Sequence, residues 1–384
     1  MVSPLSGLLV TFIIAFVVSL ATLPVIIKVV VRKGLVDRPD GARKIHVRTV
    51  PTLGGIAIFA GLFFAWSVGG TLVGSTPSVL VLCGLTLLLL TGVKDDLMHI
   101  PAKHKIWLQL GAAILAMVGG DAVVTDFGGM FGFDAVYPAV GVAITLFTFV
   151  VVINAYNLID GLDGLAGGIG VVASTAFALI FAANGAWLYA LGATALSGAL
   201  LGFLTLNFHP ARVFMGDTGS LIVGYALAFF AVKYQAIAAV GPETAINTSA
   251  AAIVVAILMI PLYDTLRVFA ARKARGESPF TPSREHAHHV LLEYVMDQRF
   301  VALYLYVAAA FIAGASVVMA YFALNVTLNL VVSILLAALI LPLRSDRIAL
   351  LQLVGLRNER PTAIRSVPPR KAEKDPSASS ASLN

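Results

Sequence analysis

An all-α integral membrane fold, with about eleven transmembrane helices and the chain start outside, follows from three observations. The 384 residues are 59% hydrophobic and 12% charged, with a mean hydropathy of +0.93; soluble domains carry about 25% charged residues. Apolar runs recur near the ~20 residues that a helix needs to cross a bilayer. Nearly all of the 26 Lys and Arg residues fall in alternate connections or at their membrane borders, the pattern that places those connections on the cytoplasmic face.

The candidate spans are 5–31, 52–70, 76–93, 104–120, 136–153, 165–184, 187–206, 217–233, 244–268, 301–322 and 324–343. Within 165–206 and 301–343 the count depends on short turns. The first run is expected to stay as a helix, because Met1 to Gly7 carries no basic residue and the run exceeds the ~7–15 apolar residues of a signal peptide. Eleven crossings make 32–51, 94–103, 154–164, 207–216, 269–300 and the tail cytoplasmic. Lys233, near an outer end, is the exception, and an even number of crossings would break the pattern. The external connection 121–135 is rich in Gly and Asp with alternating Val123, Val124, Phe127, Phe131 and Phe133, which suggests a small β-hairpin. One transmembrane domain is expected over 1–355, followed by a Pro-, Ser- and charge-rich cytoplasmic tail, 356–384, with the composition of disorder. The net charge of +6 is accounted for by topology and anionic lipid, so no nucleic-acid partner is expected. The single Cys83 leaves no disulfide framework or cysteine metal site.

The polar connections carry the chemistry. Asp95 and Asp96 end the third run; adjacent helical residues point about 100° apart, so they need not share a ligand, and either can be a cap. Lys103, His104 and Lys105 either hold phosphate as point charges or anchor the topology. Asn154, Asn157, Asp160 and Asp163 fall within ten positions, and helical spacing lets Asn157 and Asp160 share a face. Capping explains one such residue but not four at a membrane border. Asp217 lies between Gly216 and Gly219 at the start of the eighth run, as an N-cap or a ligand. Mg2+ takes oxygen ligands, one or two from protein with the rest from water and phosphate; Asp217 with Asn157 makes that kind of incomplete cage. His286, His288 and His289 suit phosphate or pyrophosphate better than a hard cation, and a zinc site lacks an evident fourth ligand. Arg43-Lys44-Ile45-His46 and the turn Pro51 to Gly55 offer basic groups and backbone donors for phosphate.

A transporter or lipid flippase would carry ionisable groups inside its spans, whereas here they gather at one face. No inverted repeat of the transporter type is evident. A noncatalytic scaffold leaves the carboxylate and amide motifs without a purpose.

From about residue 32 to 295 these motifs, in this order, resemble the polyprenyl-phosphate N-acetylhexosamine-1-phosphate transferases, the superfamily that includes phospho-N-acetylmuramoyl-pentapeptide transferase. The resemblance implies a multi-pass enzyme of the bacterial cytoplasmic membrane, with its active site facing the cytoplasm. It implies Mg2+ as cofactor, with Mn2+ as the alternative, and a homodimer. The donor would be a UDP-sugar, the acceptor undecaprenyl or decaprenyl phosphate, and UMP the released product. By motif, Asp95 and Asp96 match the catalytic pair, and Asn157 and Asp217 match the metal positions. Asp160 and Asp163 match carboxylates near the nucleotide, and Phe214 an aromatic that stacks on uracil. Asn154, Asn207 and the His286, His288, His289 motif join the substrate contacts, and Arg43, His46 and Lys105 the phosphate contacts.

The His motif is interrupted by Ala287, as in the N-acetylhexosamine branch; the muramoyl-pentapeptide branch has three consecutive histidines. UDP-GlcNAc is therefore the expected donor, giving the lipid-linked sugar that starts cell-envelope polysaccharide synthesis. Another UDP-N-acetylhexosamine or UDP-MurNAc-pentapeptide is the alternative, since Val290 to Arg299 lacks the Gly often found there. The acceptor attacks directly, with Asp95 placing or deprotonating it, or the reaction passes through an aspartyl-phosphate.

Overall fold

The computed structural model describes residues 3–33, 36–37, 50–278 and 285–341. Arg43, His46 and the tail 356–384 lie outside the described residues. The elements in order are α1 (Pro4–Lys33), β1 (Val36–Asp37), β2 (Val50–Pro51), α2 (Gly55–Leu72), α3 (Val79–Leu97), α4 (Ala102–Gly120), β3 (Asp126–Met130), β4 (Phe133–Ala135), α5 (Pro138–Leu158), α6 (Leu165–Ala183) and α7 (Trp187–Asn207). They continue with α8 (Gly216–Val240), α9 (Ala245–Thr248), α10 (Ala250–Ile257), α11 (Met259–Ala274), α12 (Ala287–Val295), α13 (Gln298–Tyr321) and α14 (Val326–Ile340). Hydrocarbon supplies no hydrogen-bond partners, so a spanning backbone must pair internally, and the helix does so segment by segment.

Among the described residues, seven helices are long and apolar enough to cross a membrane: α1, α2, α5, α6, α7, α8 and α13. The count becomes eight if α10 and α11, bent by 77° to one another, form one broken span. The sequence reading counted eleven. Charge and length account for the difference. Lys94, Asp95 and Asp96 occupy the end of α3, Lys103 and Lys105 begin α4, and α14 has 15 residues, about 22 Å of helix.

Helix α8 is the hub. Every residue from Thr218 to Tyr234 is buried, and the helix packs against α2, α3 and α5. Helix α1 shows the opposite pattern. It buries one stripe, Gly7, Thr11, Ala15, Ser19, Leu23, Ile26 and Val30, while Leu5, Leu9, Ile13 and Val17 face outward. The repeat of four, with small residues in its first half, lets α1 lie close against α2 and α7, the way membrane helices associate when no water drives them together. Around the far half of α8, Trp66, Phe177, Phe181 and Phe230 form an aromatic cluster; Trp66 and Phe230 are 5.9 Å apart and Phe181 and Phe230 are 6.0 Å apart.

β3 and β4 pair antiparallel, with Asp126 opposite Ala135 and Met130 opposite Phe133. The pair lies beside α10, α14 and the far part of α8. The polar loops of interest surround the other end of α8.

Candidate active site

The first turn of α8 is where the polar segments meet. The turn after β2 crosses the approach to α8: Phe214 N donates to Pro51 O at 2.9 Å, Gly54 N to Phe214 O at 3.0 Å and Gly55 N to Met215 O at 3.1 Å. Gly216 enters the helix with φ +68°, a left-handed conformation that glycine adopts without a side-chain penalty. Gly92 of α3 lies against the backbone of Thr218, where a Cβ would overlap it. The two helices therefore meet closely enough for α3 to place its final residues on the α8 terminus.

Asp96 does this. Its Oδ1 accepts from Asp217 N at 2.8 Å, and its Oδ2 accepts from Thr218 N at 3.0 Å and Thr218 Oγ1 at 2.6 Å. A helix start leaves backbone donors without partners, and a carboxylate there also meets the positive end of the helix dipole. Asp96, from another helix, thus fills the capping role that local sequence offers to Asp217. Asp217 is freed for other contacts.

Those contacts join α4 and α5 to α8. Lys105 Nζ donates to Asp217 Oδ2 at 2.8 Å and also pairs with Asp95 Oδ2. Asn157 Nδ2 donates to Asp217 Oδ1 at 2.6 Å and to Ser220 Oγ at 2.7 Å. Asp95 is enclosed, its side chain 3% exposed against 28% for Asp217, and its Oδ1 accepts from Ile100 N at 2.6 Å. Asp95 and Asp96 point to different partners, as adjacent helical positions require. The structure thus brings Asp95, Asp96, Lys105, Asn157 and Asp217 together from four helices.

The segment after α5 carries the next group. Asp160 is half-buried, and its carboxyl is pushed up to about 7 by desolvation first, then by the negative charges of Asp217, Asp96 and Asp163. Asp163 has a different setting. It is buried, and its Oδ2 accepts from Ala211 N at 3.0 Å and pairs with His209 Nδ1 at 2.7 Å. Asn207 accepts from Gly164 N at 3.1 Å and donates to Val213 O at 2.9 Å. Asp163 and Asn207 therefore tie the 159–164 segment to the 208–215 segment. Asn154 faces α4 and donates to Gln109 Oε1 at 2.8 Å, one turn of helix before Asn157. Phe214 is half-buried at the entrance to α8.

The histidines approach from α12. His288 is 2% exposed; among the described residues its Nε2 has no hydrogen-bond partner, and it lies against Gly161 where a Cβ would overlap it. Burial, and then the neighbouring His289, lower its pKa to about 3. The rings of His286 and His288 are stacked, 5.8 Å apart and 9° from parallel, and those of His288 and His289 are 4.3 Å apart. The motif is thereby joined to the Asp160 segment through Gly161.

Two residues escaped the sequence reading. Asp264 of α11 accepts from His286 Nδ1 and Ala287 N, each at 2.8 Å, and Arg267 pairs with Asp264 at 2.8 Å. A carboxylate and a guanidinium three positions apart in an otherwise apolar stretch were the available signal, since ionisable groups in such stretches are costly without partners.

Among the described residues, no group of three or more His, Cys, Asp or Glu is arranged to hold a metal ion. The donor chemistry still fits a hard cation of the Mg2+ kind, which takes one or two protein oxygens and completes its shell with water and phosphate. Asp217 provides a carboxylate and Asn157 a carboxamide, although the amide nitrogen now faces Asp217.

Residues 78–235 match the family model described as "Glycosyl transferase family 4". The chain is similar to a probable undecaprenyl-phosphate N-acetylglucosaminyl 1-phosphate transferase of Bacillus subtilis, with 31% identity over 310 residues, covering 78% of this chain and 82% of the relative. It is also similar to undecaprenyl-phosphate alpha-N-acetylglucosaminyl 1-phosphate transferases of two other bacteria. The Yersinia pestis protein is 32% identical over 79% of this chain and 82% of its own. The Escherichia coli K12 protein is 31% identical over 77% of this chain and 79% of its own.

Proposed function

The chain belongs to the polyprenyl-phosphate N-acetylhexosamine-1-phosphate transferases of glycosyl transferase family 4, and we propose that it moves N-acetylglucosamine 1-phosphate from UDP-GlcNAc to undecaprenyl or decaprenyl phosphate, releasing UMP. It is a membrane transferase. The observation that carries the specific reaction is the excess of carboxylate over ammonium at the α8 terminus. Lys105 pairs with Asp95 and Asp217, and Asp96 and Asp160 lie close enough to Asp217 for its charge to act on them. Two anionic substrates entering such a centre require a further cation, and this supports Mg2+ as the cofactor. Asp217 and Asn157 would hold it, with Asn157 turned to present its amide oxygen. When bound, Mg2+ would reduce repulsion between the substrates and offset charge on departing UMP.

This chain's own groups position the reactants. A phosphate monoester has a second pKa of about 6, so the lipid phosphate is largely a dianion at neutral pH and needs no strong base. Its oxygen attacks the β-phosphorus of the donor, the bond from that phosphorus to the bridging oxygen breaks, and UMP departs with that oxygen. Asp95 serves to place the acceptor. Its ties to Lys105 and Ile100 N would have to break before it could act as a nucleophile, which favours direct displacement over an aspartyl-phosphate. Lys105, within reach of both Asp95 and Asp217, balances charge as the anions enter. The histidine motif supplies imidazoles for the donor's phosphates, and Phe214 an aromatic surface for its base.

The proposed topology keeps eleven crossings, with the chain start outside and the reaction at the cytoplasmic face. Basic residues at one set of helix ends support it: Arg32 and Lys33 on α1, Lys94 on α3, Lys103 and Lys105 on α4, and Arg272 and Lys273 on α11.

A donor panel tests the reading. Purified enzyme with undecaprenyl phosphate should release UMP from UDP-GlcNAc at least about tenfold faster than from UDP-GalNAc or UDP-MurNAc-pentapeptide, a preference of ~1.4 kcal/mol. Release of UDP, or a faster reaction with UDP-MurNAc-pentapeptide, would contradict it.

A further inference from the structure

We propose that Asp264 is a positioning residue of this transferase, acting on the nucleotide-sugar through His286. This rests on the donor reading above. Asp264 lies on α11, past the 77° bend, and is 2% exposed. Three donors converge on its carboxylate. His286 Nδ1 reaches Oδ2 at 2.8 Å; the N–H of Ala287 and the Arg267 guanidinium each reach Oδ1 at 2.8 Å. Arg267 also donates to the carbonyl of Glu285 at 2.6 Å. One buried carboxylate, with its arginine, therefore holds the backbone on both sides of His286 and the ring itself.

The chemistry of that contact sets the histidine's tautomer. An ionised carboxylate only accepts hydrogen bonds, so His286 donates from Nδ1. With Nδ1 held by Asp264, Nε2 is the ring nitrogen left for the substrate. A ring with Nδ1–H committed can donate to a phosphate oxygen only when Nε2 also carries a proton. The resulting imidazolium would lie between two anions, Asp264 and the donor phosphate. Around it stand Arg267 of α11, Glu285 before the helix, and His288 and His289 on α12. Asp264 thus orients the ring and offsets its charge without touching the donor.

Asp264→Asn separates this role from simple bracing. A single amide oxygen can still accept from Ala287 N and Arg267, while its NH2 turns to His286 Nδ1 and drives the ring proton to Nε2. The charged partnership is then lost while the segment stays tied. The expected result is a KM for UDP-GlcNAc raised about tenfold, the scale of one charge-assisted hydrogen bond, with an unchanged KM for lipid phosphate and little change in Tm. In a His286→Ala background the same substitution should add nothing.

An equal effect of Asp264→Asn with and without His286 would overturn the proposal, as would parallel rises in both KM values with a large fall in Tm. Imidazole 15N shifts of the selectively labelled parent provide a check that needs no Asp264 variant. Protonation at Nδ1 of His286 is expected, and a neutral ring protonated only at Nε2 would overturn the proposal. A parent that binds and turns over no UDP-GlcNAc would instead overturn the donor reading, which distinguishes the two failures.

Discussion

Helix α8 has two polar ends of different construction. At its first turn, Asp95 from α3 is enclosed and shares Lys105 with Asp217 of α8, while Asp96 accepts from the helix's own N–H groups. At its far end, Asp126, Asp134 and Glu243 line a cavity of about 300 Å³ with Gln235 and Asn247. There Asp134 and Glu243 are exposed, and Lys233 is occupied in donating to Asp121 O at 3.1 Å, at the end of α4, and facing the Tyr189 ring at 5.1 Å. Acidic residues alone therefore do not distinguish the ends. What distinguishes the first turn is convergence of charged groups from separate helices with few routes to water, where charge interactions are strong.

The comparison breaks most readily at Asp217. Asp217→Asn should lower kcat by about a thousandfold, the scale of losing a main electrostatic contact in catalysis, and flatten the Mg2+ response, while Glu243→Gln at the other end stays within about twofold of the parent. Steady-state UMP release over a Mg2+ titration checks both. Equal losses at the two ends would erase the distinction.

Lys105→Ala should cost about a hundredfold in kcat, and Lys105→Arg less, because arginine restores the charge with a different shape. The same UMP assay reads this. Retained activity in the alanine variant would remove Lys105 from the chemistry.

Lys233→Met tests the far end through stability. It removes the hydrogen bond at the end of α4 and should lower stability by about 1 kcal/mol, with kcat unchanged. Thermal unfolding in detergent and UMP assays separate these effects.

The smallest effect concerns pH. Asp160 has its carboxyl raised from the usual range to about 7, so the folded protein holds a proton there that the unfolded chain releases near pH 4. Its contribution to stability is fully present below about pH 4 and is lost as pH rises through about 7. With chelator present, the Tm of the parent relative to Asp160→Asn should fall across that window. A pH-independent difference would contradict the assignment.

The legible parts of the sequence were those whose signal is local. The retention of the first run as a helix follows from its apolar length, and the divergence of Asp95 from Asp96 follows from helical geometry. Asn157 and Asp217 were paired as oxygen donors for a cation; the structure brings the two side chains together through the Asn157 amide nitrogen, 2.6 Å from Asp217 Oδ1. The hidden parts depend on contacts between distant helices. Asp96 capping α8 depends on the close approach at Gly92. Gln109 holding Asn154 depends on how α4 faces α5, and Asp264 supports His286 across 22 positions. The count of spans is less legible, because charged residues at the ends of α3 and α4 keep those helices out of the seven that are long and apolar enough by themselves among the described residues.

A single-turnover reaction with UDP-GlcNAc labelled at the β-phosphate, run with and without undecaprenyl phosphate, tests direct transfer at the α8 terminus most plainly. The label should move to the lipid, and UMP should form, only when both substrates are present, with neither event detectable in Asp217→Asn. Label left in UDP, label on the protein without lipid, or full transfer by Asp217→Asn would contradict it.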